Sequence, residues 1–278
     1  MFGEYFMKLV EQSHEVIKAE DGDFIKDGLL HCGKCGTPKQ TNIEIMGQIV
    51  KPMCLCKCEA ERKEKEAEAE RQRQRAEQIA KNRTNCFPER QMEEWTFDND
   101  DGANEKLTNM AKRYVAHFDN FRKDGKGLLF HGGVGTGKTY LACMIANALL
   151  DKGYPVLVTN FSRVLNTLQS NFEHRQDYLD GFNRYSLLVI DDLGVERGTE
   201  FAKEQVYNVI DSRCLSGLPM IITTNLSVKK LANETEIGYK RIYDRIIEKC
   251  YPVEVTGESR RIKKLIDGKD DMKNILGI

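Results

Sequence analysis

The chain has 278 residues, enough for one α/β domain of about 190 residues beside a smaller unit. Its formal net charge is -1 with 31% charged residues, which excludes a global basic field and leaves only local patches for nucleic acid. No apolar run approaches the roughly 18 residues of a membrane span. The acid-bearing N-terminus lacks the form of a signal peptide, so the expected compartment is the cytoplasm.

Residues 1–24 carry Phe2, Tyr5, Phe6, Leu9, Val10, Val16 and Ile17, spaced for an amphipathic helix that docks on a partner or packs on the cysteine-rich segment after it. Residues 1–58 hold five of the nine cysteines. Cys32-Gly33-Lys34-Cys35-Gly36 has the form of a metal knuckle, and Cys54-Leu55-Cys56-Lys57-Cys58 supplies a second close set. Tetrahedral zinc needs four of these five thiols, with His31 as a weaker substitute; Lys34 and Lys57 would ease the thiolate charge. A redox pair is the alternative. Cys86, Cys143, Cys214 and Cys250 sit in apolar or helical contexts and read as ordinary thiols.

Residues 59–85 then predict a solvated linker helix, without Gly or Pro, Glu-rich first and Arg-rich later, and with no apolar stripe. Arg71, Arg73 and Arg75 offer a local basic patch on it. Phe87-Pro88 breaks the helix, and a globular domain over 86–278 comes next. Its short apolar runs at 127–131, 155–159, 186–191, 218–223 and 251–255 alternate with helical stretches, the pattern of a parallel sheet covered on both faces.

Between the first run and the apolar helix that starts near Tyr140 lies Gly132-Gly133-Val134-Gly135-Thr136-Gly137-Lys138-Thr139, of the form G-x-x-x-x-G-K-[ST]. Glycines let the backbone turn its N–H groups toward phosphate. Lys138 would reach the outer phosphates, Thr139 would ligate magnesium, and the helix N-terminus adds a positive dipole end. Tyr140 belongs to the same cofactor-binding set. The run Leu187–Ile190 ends in Asp191 and Asp192. Asp191 is expected to hold magnesium through water, and Asp192 to act as general base toward an attacking water. Thr223-Thr224-Asn225 ends the fourth run, where an amide can orient that water or merely cap the next helix. Arg241 and Arg245 share a helix face, and Arg260-Arg261 come after the fifth run; either pair could stabilise transferred phosphate.

Together these motifs resemble the AAA+ ATPases that load replicative DNA helicases, the DnaC-type and DnaI-type loaders, with related cores in transposon-encoded IstB-like ATP-binding proteins that assist a transposase. The resemblance spans nearly the whole chain. It implies an α/β P-loop AAA+ domain with five parallel strands in the order 5-1-4-3-2. It also implies ATP and magnesium as cofactors and hydrolysis in a homo-oligomer. By position, Asn225 becomes the first sensor, Arg245 the finger reaching a neighbouring subunit, and Arg261 the second sensor. Only 23 residues come after the fifth run, and the loader family likewise lacks the usual helical lid. The Cys-Lys-Cys-Glu ending resembles the family's zinc pattern, which selects Cys32, Cys35, Cys56 and Cys58 and leaves Cys54 as the spare ligand. The implied partners are a hexameric replicative helicase, met by the N-terminal region, and single-stranded DNA. Arg163, Phe172, His174, Arg175 and Tyr178 are the candidate DNA contacts. A transposase helper and a nucleotide-sensing adaptor with little turnover are the other readings.

Overall fold

The computed structural model describes residues 22–45, 47–170, 174–194 and 198–262. Of the helix expected over 1–24, residues 1–21 fall outside it, as do Phe172 and the 263–278 tail on which the lid question turns. The chain divides into two compact units, 1–75 and 76–278.

In the first unit, β1 (Phe24–Lys26) pairs antiparallel with β2 (Leu29–His31), and β3 (Ile43–Ile45) with β4 (Gln48–Val50). Asp27 and Gly28 both take positive φ, 53° and 74°, the turn geometry whose twist matches a two-residue hairpin. Gln40 joins the two hairpins: its Oε1 accepts from the Leu30 N–H at 2.9 Å, and its Nε2 donates to the Lys51 carbonyl at 3.2 Å. Asp23 and Lys39 form a nearly buried ion pair at 2.7 Å. Leu30 and Val50 are buried beside Cys32 and Cys56. The helix α1 (Lys57–Thr84) starts two residues earlier than its charge pattern suggested and buries none of its residues.

The second unit is an α/β sandwich. After a 3₁₀ turn at Arg90–Glu94 come α2 (Glu105–Ala116), capped by the Asn104 side chain, and α3 (Phe118–Asp124), ended by Gly125 in the left-handed region. Five parallel strands succeed them with their crossovers. These are β5 (Gly127–His131), α4 (Lys138–Asp151), β6 (Val156–Asn160), α5 (Phe161–Ser170), α6 (Arg175–Gly181) and β7 (Leu187–Leu193). The rest are α7 (Glu200–Leu215), β8 (Met220–Thr224), α8 (Val228–Ala232), α9 (Ile237–Lys249) and β9 (Cys250–Glu254). The strands lie in the order β6-β7-β8-β5-β9.

Alternation along each strand divides the core between the two faces. Leu128, Phe130, Leu187, Val189 and Ile221 pack with α2 and α4, whereas Leu129, Leu188, Ile190 and Ile222 pack with α5, α7 and α9. Burial on both sides is why these strands are continuous apolar runs. None of the described helices is long and apolar enough to cross a membrane.

One strand departs from its sequence pattern. β7 does not stop at the acids; it continues through Asp191 and Asp192 to Leu193, with a bulge between Ile190 and Leu193. The turn comes at Gly194 (φ 98°). Because side chains alternate in a strand, the bulge is what frees Asp192 to face outward.

The sheet is locked from below by Arg213, fully buried on α7. Its guanidinium donates to the carbonyls of Phe182, Tyr185, Ser186 and Pro219, so it ties the entries to β7 and β8 onto one helix. Burial pulls its pKa down to about 10. Arg213→Met keeps the volume but strands these carbonyls. It is expected to cost about 3 kcal/mol in urea unfolding, a loss a surface arginine would not show.

Candidate nucleotide site and cysteine cluster

The glycine loop lies between β5 and α4, as its position in the sequence requires. At Gly137 the chain enters the helix with φ 98°, and an added Cβ would sit 2.9 Å from Arg260 Nε. At Gly132 (φ 147°) a Cβ would lie 2.3 Å from the Val255 carbonyl oxygen. Only glycine fits either place.

Lys138 is buried and folds back across the loop. Its ammonium donates to the carbonyls of Gly132 (3.1 Å) and Gly133 (2.7 Å) and to Asn225 Oδ1 (2.7 Å). Burial lowers its pKa, against the opposing pull of Asp192 and Asp191. The Thr139 hydroxyl donates to Asp191 Oδ1 at 2.8 Å, and the Thr223 hydroxyl to the same oxygen at 2.6 Å. Burial pushes the Asp191 carboxyl up, and Asp192 adds to that push; the two threonine donors pull it back. Asp192 has φ 55°, a rare value for a residue with a side chain, and its N–H donates to Thr223 Oγ1 at 2.9 Å. Its carboxylate is exposed on a cavity of about 470 Å³ that Lys138, Thr139, Asn225 and Arg261 also line.

The structure therefore brings the loop, Tyr140, Asp191, Asp192, Asn225 and Arg261 to one place. Arg245 is elsewhere, on α9. It is ion-paired with Asp211 at 2.8 Å and meets the Tyr207 hydroxyl, while Arg241, one turn earlier, is exposed. Among the candidate DNA residues, Arg163 and Tyr178 border a second cleft with Arg184 and Tyr185. Arg175 instead donates to the Leu168 carbonyl and lies 5.1 Å over the Phe201 ring, and His174 pairs with Asp177.

Three of the lining residues, Trp95, Asn99 and Asp101, lie outside the motifs of the sequence, whereas Arg260 belongs to the Arg260-Arg261 pair. Trp95 and Asn99 wall the far side of the cavity, with the Trp95 and Tyr140 rings 5.6 Å apart and the Tyr140 hydroxyl donating to the Asn99 carbonyl. Arg260 lies over the Tyr140 ring at 4.7 Å, pairs with Asp101 at 3.2 Å, and donates its backbone N–H to the Gly135 carbonyl at 3.0 Å. A tryptophan beside the acid-rich stretch 98–101 was the available signal.

In the first unit the thiols of Cys32, Cys35, Cys56 and Cys58 all lie within 4.8 Å of one another. Two of the separations are 3.6 Å (Cys32 to Cys58) and 3.4 Å (Cys56 to Cys58), near the roughly 3.8 Å edge of a tetrahedron with zinc–sulfur bonds of about 2.3 Å. Cys54 stands apart, its thiol directed at the Pro38 carbonyl. Backbone N–H groups of Cys35 and Lys34 pull the Cys32 thiol down, and Cys35 falls to about 5, chiefly through the Thr37 hydroxyl. Cys58, hydrogen-bonded among Cys56, Cys32 and Cys35, is pushed up to about 12. Four thiols this close cannot all ionise without a cation between them, so the donor set and its spacing fit a divalent metal such as zinc. The other cysteines, Cys86, Cys143, Cys214 and Cys250, are buried.

A five-stranded parallel sheet with a phosphate loop at one strand end and paired acids at another defines an ATP-binding P-loop protein of the AAA+ type. The chain belongs to the family of IstB-like ATP binding proteins, which matches residues 60–267. It is 29% identical over 140 residues to the replicative helicase loader DnaC of Escherichia coli K12, covering 49% of this chain and 55% of that protein. It is 26% identical over 167 residues to the replicative helicase loader DnaI of Bacillus subtilis, covering 56% and 52%. The matches thus span about half the length of these curated relatives. The crystal structure of DnaI superposes with a TM-score of 0.51 at 28% identity, over 64% of this chain and 96% of that one.

Proposed function

We propose that this protein is an ATP-hydrolysing loader that places a hexameric replicative helicase on single-stranded DNA, working as a homo-oligomer. One observation carries the reading most strongly: Lys138, Thr139, Asp192 and Asn225 line the cavity beside the glycine loop, and Asp191 lies behind Thr139 within hydrogen-bond reach of its hydroxyl. A pure nucleotide sensor needs the loop but not an outward-facing second carboxylate. Magnesium ATP supplies the reacting phosphate and its charge neutralisation. Lys138 exchanges its carbonyl partners for phosphate oxygens, and the loop N–H groups orient them. Thr139 and Asp191, hydrogen-bonded at 2.8 Å, would hold the metal, Asp191 through water. Asp192 accepts the proton of the attacking water, and Asn225 fixes that water's direction. Arg261 reaches the same cavity from the C-terminal segment. Arg245 acts on a neighbouring protomer after leaving Asp211, and hydrolysis loosens that contact. The cysteine cluster holds structural zinc in the helicase-facing N-terminal unit.

The decisive experiment is capture of replicative helicase by the purified protein, with and without ATP and single-stranded DNA. ATP-dependent capture is expected. The IstB-like family membership favours a second reading, an ATPase that assists a transposase. Recovery of a transposase and no helicase from native lysate would establish that reading instead.

A further inference from the structure

We propose that Thr223 is a positioning residue that sets both acids at once; this rests on the hydrolytic reading of the site. Thr223 is fully buried in β8, next to the bulge of β7. A hydroxyl has one proton to give and lone pairs to accept with. Here the proton goes to Asp191 Oδ1 at 2.6 Å, and a lone pair receives the Asp192 N–H at 2.9 Å. The two bonds act on different things. The first fixes the rotamer of the carboxylate beside Thr139. The second holds the backbone of Asp192 at φ 55°, the strained conformation that turns its carboxylate into the cavity.

The competing support for Asp191 comes from Thr139, whose oxygen is itself a magnesium ligand in the proposed site. Once that oxygen faces a metal, Thr223 is the donor left holding Asp191 from inside the sheet. Thr224 does the matching work one residue on, donating to the Leu193 carbonyl at 2.8 Å, so β8 staples both sides of the bulge. A merely structural threonine would need only one partner, and valine would replace it well among Met220, Ile221 and Ile222.

The test uses the full-length protein and a fluorescent ADP analogue whose binding is followed as magnesium is titrated, alongside ATP turnover. For Thr223→Val, nucleotide affinity without metal stays close to wild type. The magnesium needed for half-saturation rises roughly 10–100-fold, as for other residues that orient a metal ligand. Turnover falls through kcat rather than KM, and Thr223→Ser restores most of both. A valine variant with the wild-type magnesium requirement, or a serine variant as impaired as valine, overturns the proposal. Should valine misfold, Thr223→Ala is read by the same titration. If wild-type protein hydrolyses no ATP, the hydrolytic reading fails, while the magnesium titration still decides the role of Thr223 toward Asp191.

Discussion

Replacing Asp192 by asparagine lowers the rate of ATP hydrolysis by about 10²–10⁴-fold, the usual worth of a positioned general base, and leaves nucleotide binding almost intact. The two adjacent acids are held in different ways. Asp191 is partly buried, and one of its carboxylate oxygens accepts from two threonine hydroxyls and does not line the cavity. Asp192 is exposed on the cavity and anchored through its backbone, so its carboxylate is free to take a proton. An amide of the same shape keeps that backbone bond and removes only the proton acceptor. Phosphate release and calorimetric nucleotide binding, measured on the same preparation, separate the two effects. Asparagine protein that retains turnover within about tenfold of wild type would move the base elsewhere.

The reverse result is expected for Asp191→Asn, where the metal-side carboxylate is lost and magnesium-dependent affinity falls. The order of the two acids after the apolar run assigns their roles, but the way each is held depends on a feature the sequence conceals. Leu187–Ile190 followed by two aspartates is legible as a strand ending at a site, because continuous apolar residues and paired acids are local signals. The bulge and the positive φ of Asp192 are not, since they arise from how β8 presents Thr223 and Thr224 across the sheet.

The same distinction runs through the rest of the site. The glycine loop was readable because eight contiguous residues carry its whole geometry. Trp95 was not, because about forty residues separate it from the loop it faces, and only tertiary packing brings it there. Arg260 and Arg261 are neighbours, so spacing cannot say which of them turns inward; both reach the cavity. The Arg260 N–H on Gly135 and its pairing with Asp101 fix its course, and Arg261, the expected second sensor, lines the cavity beside it. For Arg213 a signal existed. Val206, Val209, Ile210 and Cys214 share its helical face, and a charge on such a stripe is buried.

Removing metal from the cysteine cluster is expected to unfold the first unit while sparing the second. Among the described residues of the first unit, the hairpin strands have three residues each, and the buried apolar side chains are Leu30, Val50, Cys32 and Cys56. Strands that short with so small a core do not hold together unaided. A structural zinc contributes about 10–16 kcal/mol of apparent binding free energy to small folds of this kind, more than such a core supplies. Elemental analysis of purified protein is expected to find about one zinc per chain. Chelation, or Cys56→Ser, then exposes residues 22–58 to protease, while nucleotide binding persists because every residue of the ATP site lies in the second unit. Acidification acts in the same direction. Zinc needs thiolates, so protons compete with it and the metal is released as pH falls. The choice of ligands has its own control: Cys54→Ser retains the metal, because the Cys54 thiol faces the Pro38 carbonyl and not the cluster. Purified protein holding less than about half an equivalent of zinc, with residues 22–58 still protease-resistant, would show that the four thiols fold this unit by their own packing.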